Sequence, residues 1–129
     1  MKIELAVNGT LMRGLELNHN LLELGAEFVE ETLTAPLYRL WSINDQYPAM
    51  QRSSIGEQIS LEIWSINPSN IGELLSREPA GLSVGKILLA DNREILGILG
   101  ESYLCEGKQE ITHFGGWRNY TNQLSKITD

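Results

Sequence analysis

Cysteine is nearly absent: Cys105 stands alone among 129 residues. A single thiol excludes an internal disulfide and a cysteine-built metal cluster, and its expected place is that of a small buried apolar side chain. Histidine is almost as scarce, with only His19 and His113. Two imidazoles without a matched carboxylate set make a poor metal site, so neither a metal nor another cofactor is expected. Basic residues are outnumbered, 10 Lys and Arg against 17 Asp and Glu, for a formal net charge of −7. That balance offers no broad basic surface, and no nucleic-acid partner is expected. No apolar run of membrane-spanning length occurs, and Met1-Lys2-Ile3-Glu4 does not open a secretory signal. No membrane association and a cytoplasmic location are the expectations. What is present, 42% hydrophobic and 21% charged residues without low-complexity segments, fits one domain over residues 1–129 with a core of its own.

Punctuation and periodicity divide the chain. Lys2 to Val7 read as a strand ending at Asn8-Gly9. A helix opens at about Asn18, whose side chain is expected to cap it, with Leu21, Leu22 and Leu24 on its apolar face and Gly25 at its left-handed end. Glu27 to Leu33 and Leu37 to Ile43 read as strands separated by Thr34-Ala35-Pro36. Residues 44–56 read as a long loop, a lid or pocket wall containing Tyr47-Pro48. Gln58 to Ile66 alternates as a strand, with Ile59, Leu61 and Ile63 on one face and Ser60, Glu62 and Trp64 on the other. Asn67-Pro68 opens a helix to about Ser76. Asp91-Asn92 turns a hairpin, and Gly115-Gly116 precedes a short C-terminal helix. Six or seven strands and three short helices predict an α+β domain whose mostly antiparallel sheet curls, as a twisted small β-barrel with short peripheral helices.

Chemistry concentrates near the end of the first strand. Backbone N–H groups at Asn8, Gly9, Thr10 and Leu11 can form a concave donor nest for a carboxylate or another oxyanion, or can simply end a strand. His19 offers a group suited to proton transfer near neutral pH, or a polar contact at the surface. Tyr38 and Arg39 point to opposite faces of their strand, and either can face a pocket there. Arg13 can close over a ligand or stay in solvent. Glu62 is either a solvent-facing strand carboxylate or an inward acid. In "FGGWR", Trp117 anchors the C-terminal segment or turns into a groove, and Arg118 reaches an anion or not.

The motifs "VNGTLMRG", "LNH", "TAPLYRLW", "EPAGLSVGKILLADNREILGIL" and "FGGWRNY" occur between Lys2 and Tyr120 in an order and at separations that resemble the C-terminal domain of allophanate hydrolases. The resemblance implies the gamma-glutamylcyclotransferase-like fold, with a pocket at the first-strand turn. It also implies a decarboxylase role, converting N-carboxycarbamate into carbamate and carbon dioxide. His19 of "LNH" is then the proton donor, and the turn from Asn8 to Leu11 holds the retained carboxylate. Asn18 orients the imidazole or bonds the substrate. Nothing in the chain resembles the serine-lysine amidase machinery that makes such a substrate. The implied partners are therefore a small anionic substrate and a separately encoded amidase; the oligomeric state is left open.

One departure bears on the chemistry. Gamma-glutamyl cyclotransferases carry a basic carboxylate in an acidic segment after the second helix, where this chain reads "SREPAGLSVG". Glu78 is the carboxylate closest to that pattern. A cyclotransferase releasing 5-oxoproline through Glu78 or Glu62 is the alternative activity, and a non-catalytic ligand-binding or amidase-partner module is the third reading.

Overall fold

A computed structural model describes residues 1–128. Its strands are β1 (Ile3–Val7), β2 (Glu27–Leu33), β3 (Tyr38–Ile43), β4 (Tyr47–Arg52), β5 (Ser60–Ile66), β6 (Leu82–Leu88), β7 (Glu94–Gly100) and β8 (Gln109–Glu110). Its α-helices are α1 (Asn18–Glu23), α2 (Ile71–Ser76), α3 (Ser102–Cys105) and α4 (Trp117–Thr128). The strands form a five-stranded sheet in the order β2-β5-β1-β7-β6 and a three-stranded sheet in the order β4-β3-β8. Every named pairing is antiparallel except β1 with β7. The α+β class and the antiparallel bias are as expected, but the barrel is not closed: β2 and β6 remain edges of the larger sheet. The two edges meet only at one end, where Thr34 and Leu89 form an isolated antiparallel bridge. With β2 and β3 separated by Thr34-Ala35-Pro36, the two strands enter different sheets instead of pairing.

β1 is the central strand, and its Leu5, Ala6 and Val7 are fully buried between β5 and β7. Around it pack Leu21, Leu40, Leu61, Ile63, Ile87 and Leu89 in one apolar cluster. Each such side chain contributes about 1.5–3 kcal/mol on leaving water. α1 ends as its sequence demands, with Gly25 at φ 74°. The hairpin at Asp91-Asn92 joins β6 to β7, with Asn92 at φ 74° and its amide bonded to the Leu89 carbonyl. Asn67 caps the turn that leads into α2 by accepting from the Ser69 amide. Among the described residues no helix is long and apolar enough to cross a membrane.

One expectation is corrected here and one open placement is decided. Residues 44–56 are no lid: Tyr47–Arg52 is strand β4, paired with β3 through a tight turn at Asn44 and Asp45, which take φ values of 55° and 60°. Two consecutive left-handed residues suit the twist of a hairpin, and Pro48 is accommodated because β4 is an edge strand. The placement left open is that of Glu62, which turns inward and does not face solvent. β5 lies between β2 and β1, and its outer face is covered as well as its inner one, so Glu62 and Trp64 are as buried as Leu61 and Ile63.

Candidate functional site

The end of β1 runs into a loop with an unusual division of hydrogen bonds. The carbonyls of this loop are all engaged. Gly9 O accepts from the Met12 amide, Thr10 O from the Leu17 amide, and Met12 O from the Leu15 amide. Leu11 O accepts from Asn18 Nδ2 at 2.8 Å, and Arg13 O from Arg118 Nη2 at 2.6 Å. The amides of Gly9, Thr10 and Leu11, by contrast, meet no protein acceptor among the described residues. A loop that has committed its acceptors and kept its donors can offer those donors to an acceptor from outside the chain.

These residues line a narrow recess whose other walls are Val7, Tyr47, Pro48, Glu78, Leu82 and Ile98. Gly9 is required by close approach, not by its φ. A Cβ there would lie 2.5 Å from Pro48 Cδ, so the β4 proline seats directly on the glycine. Glu78 arrives just beyond α2, its amide closing the helix onto Leu75 O. The following Pro79 disfavours further helix and turns the chain back. Burial raises the Glu78 carboxyl from 4.5 to about 7. Tyr47 beside it is raised by its own burial, by Tyr103 and by Glu78, and so stays a phenol donor.

The expected site residues divide clearly. Gly9, Thr10, Leu11 and Glu78 meet in the recess. Asn8 lines it too, but its Nδ2 donates to Ile98 O at 2.9 Å, which joins β1 to β7 and leaves the side chain occupied. Asn18 starts α1 without capping it; its side chain holds the Leu11 carbonyl instead. His19 is not among the lining residues. Its ring is exposed on α1, with Nδ1–H donating to the Glu16 carbonyl at 3.1 Å. Asn18 therefore orients the loop and not the imidazole.

Neither Tyr38 nor Arg39 faces the recess. Tyr38 is fully buried and its hydroxyl accepts from the Leu88 amide. Arg39 emerges on the opposite face, paired with Glu110 in an open groove that also includes His113. Glu62 is held apart from any acid–base role, because it accepts from the Arg13 amide, Arg13 Nε, Trp64 Nε1 and Arg118 Nη2. Burial pushes its carboxyl up, yet those donors outweigh burial and keep it below its ordinary value. Trp117 is buried against Tyr120 as a C-terminal anchor. Cys105 is buried, and burial raises its thiol. Among the described residues no group of three or more His, Cys, Asp or Glu is placed to hold a metal. Sequence reasoning missed Leu82 and Ile98 as walls; neither carries a polar group or motif that marks it.

The family model for the allophanate hydrolase C-terminal domain matches residues 3–122. Urea amidolyase of Saccharomyces cerevisiae is 30% identical over 96% of this chain, which spans 7% of that protein's length. The crystal structure of a uropathogenic E. coli-specific protein is similar at 52% identity with a TM-score of 0.93, over 95% of this chain and 97% of that one. Kluyveromyces lactis allophanate hydrolase is similar at 25% identity with a TM-score of 0.90, over 96% of this chain and 22% of that one. A gamma-glutamyl cyclotransferase at 16% identity, with a TM-score of 0.57 over 85% of this chain and 70% of that one, shares the fold alone. The chain belongs to the allophanate hydrolase C-terminal domain family, with a gamma-glutamylcyclotransferase-like fold.

Proposed function

From that membership we propose that the protein removes carbon dioxide from an N-carboxylated carbamate, with the Gly9, Thr10 and Leu11 amides holding the retained carboxylate and Glu78 delivering the proton. The observation that carries this reading is the meeting, in one recess, of unpaired main-chain donors and a carboxyl raised to about 7. When the N–C bond of N-carboxycarbamate breaks, its electron pair stays on nitrogen as carbon dioxide departs. A proton delivered there gives carbamate. A carboxyl with a value near 7 is protonated in about half of the molecules at neutral pH and transfers readily from that state.

The substrate assists its own catalysis on this reading. An ionised Glu78 against a dianion is unfavourable, so binding drives Glu78 further toward its acid form before the bond breaks. The apolar wall of Leu82, Ile98 and Pro48 strengthens each donor by excluding water. On the same reading the protein works in the cytoplasm and takes its substrate from a separately encoded amidase.

The proton could also come from His19, and one experiment separates the two donors. Carbon dioxide release is measured from N-carboxycarbamate generated in place by an amidase. Glu78→Gln is expected to remove the acceleration, whereas His19→Ala retains it within a few fold. The reverse pattern would transfer the role to His19.

A second reading draws on the same unpaired carboxyl. In its ionised half Glu78 is placed to take a proton from an α-amino group, which a gamma-glutamyl cyclotransferase needs. Release of 5-oxoproline from gamma-glutamyl substrates, lost in Glu78→Gln, would select that activity. A rise in melting temperature with malonate but no product from either substrate would mark a binding module without chemistry.

A further inference from the structure

The amide cradle is short, and its shape depends on groups outside it. Arg13 follows Leu11 by two residues, and its peptide groups are gripped on both sides. Its N–H donates to Glu62 Oε1 at 2.9 Å, and its C=O accepts from Arg118 Nη2 at 2.6 Å. The same Arg118 Nη2 reaches Glu62 Oε2 at 3.0 Å, and Arg13 Nε reaches that oxygen at 3.1 Å. Trp64 Nε1 donates to Glu62 Oε1 at 3.1 Å, which fixes the carboxylate on β5. Neither Glu62 nor Arg118 lines the recess.

A purely stabilising role explains this arrangement poorly. Burying an ion pair costs several kcal/mol per ion, and replacing both partners together by hydrophobic side chains of similar volume is often neutral or stabilising. The ion pair also does more than neutralise charge: it bonds both main-chain polar groups of a single residue, in the loop that supplies the cradle. The β5 side of the larger sheet holds the N–H, and the first turn of α4 holds the C=O.

We infer that Glu62 and Arg118 are positioning residues for the carboxylate site, clamping the Arg13 main chain so that the Gly9, Thr10 and Leu11 amides stay convergent. The inference rests on the reading of the recess as a carboxylate site. It also gives α4 a part in ligand binding, although its Arg118 side chain does not line the recess.

Arg118→Met tests the clamp without stranding a buried charge, since Glu62 keeps Arg13 as its counterion and Arg118 is itself part-exposed. Malonate is the probe, with its dissociation constant measured by calorimetry and the Gly9, Thr10 and Leu11 amide signals followed by NMR relaxation. The expected result is a dissociation constant raised roughly tenfold in Arg118→Met, as misplaced donors predict, with exchange broadening confined to the loop. Arg118→Lys, which can still reach one of the two acceptors, recovers part of the affinity. Unchanged loop signals and unchanged malonate affinity in Arg118→Met would overturn the clamp while leaving the carboxylate site intact. Loop broadening in the variant, combined with no malonate binding by the wild type, would overturn the carboxylate site and the clamp's purpose with it.

Discussion

Replacing Glu78 by Gln is expected to stabilise the protein at pH 8 and to leave it unchanged at pH 4.5. The folded-state carboxyl sits at about 7 because burial disfavours its charge, against 4.5 for the free group. A carboxyl raised on folding leaves stability at its fullest below 4.5. Stability then falls as pH climbs from 4.5 to about 7, because the unfolded chain ionises first. At 1.36 kcal/mol per pH unit the full displacement corresponds to about 3 kcal/mol. The carboxyl opens onto the recess, so solvent screening reduces this to about 1–2 kcal/mol. For a chain of this size that is about 4–8 °C in melting temperature. The assay is a set of thermal melts of both proteins between pH 4.5 and 8.5, with the difference plotted against pH. A difference that stays flat across the range, or a wild type more stable than the variant at pH 8, would refute the buried carboxyl on which the proposed chemistry depends.

Malonate affinity of the wild type should rise as pH falls through 7, since protonating Glu78 removes a like charge, and Glu78→Gln should abolish that dependence in calorimetric titrations. Gly9→Ala places a methyl against the Pro48 ring and is expected to cost about 1–3 kcal/mol in urea unfolding, together with most of the malonate affinity. Glu62→Leu strands the Arg13 amide and the Trp64 indole N–H and leaves two guanidinium groups without their shared carboxylate. A loss of about 3–5 kcal/mol is expected from urea melts. Glu110→Gln, which breaks the half-exposed pair with Arg39, should by contrast cost under about 1 kcal/mol in the same melts.

The parts of this fold that are legible in its sequence are those decided within a few residues. Gly25 ends α1, Asn67-Pro68 opens the turn into α2, and Asp91-Asn92 folds back β6 onto β7, because each depends on local backbone preference. β4 escaped notice for a related reason: Asn44 and Asp45 read as generic loop residues until both are seen in the left-handed region that makes a hairpin. The burial of Glu62 was hidden because alternation reports that two faces differ, not that both are covered. The covering groups, Arg13 and Arg118, come from distant parts of the chain. The turn itself was readable from "NGT", and Tyr47-Pro48 was read as a lid or pocket wall, but the way the walls come together was not. Pro48, Glu78, Leu82 and Ile98 converge on it only through strand order and the turn after α2. His19 lies outside the recess because a carbonyl three residues earlier takes its Nδ1–H, a local contact that its motif alone does not reveal.

A ligand cradle built from peptide N–H groups has an evolutionary corollary. Substitution at Thr10 or Leu11 changes a side chain while leaving the amide that would touch the ligand, so drift at these positions is tolerated wherever the local packing allows it. The constraint falls instead on the neighbours that set the curvature of the main chain, above all the proline seated against Gly9 on the opposite strand. If the proposed carboxylate site holds, side chains around this bend can change while the same main-chain donors face the ligand.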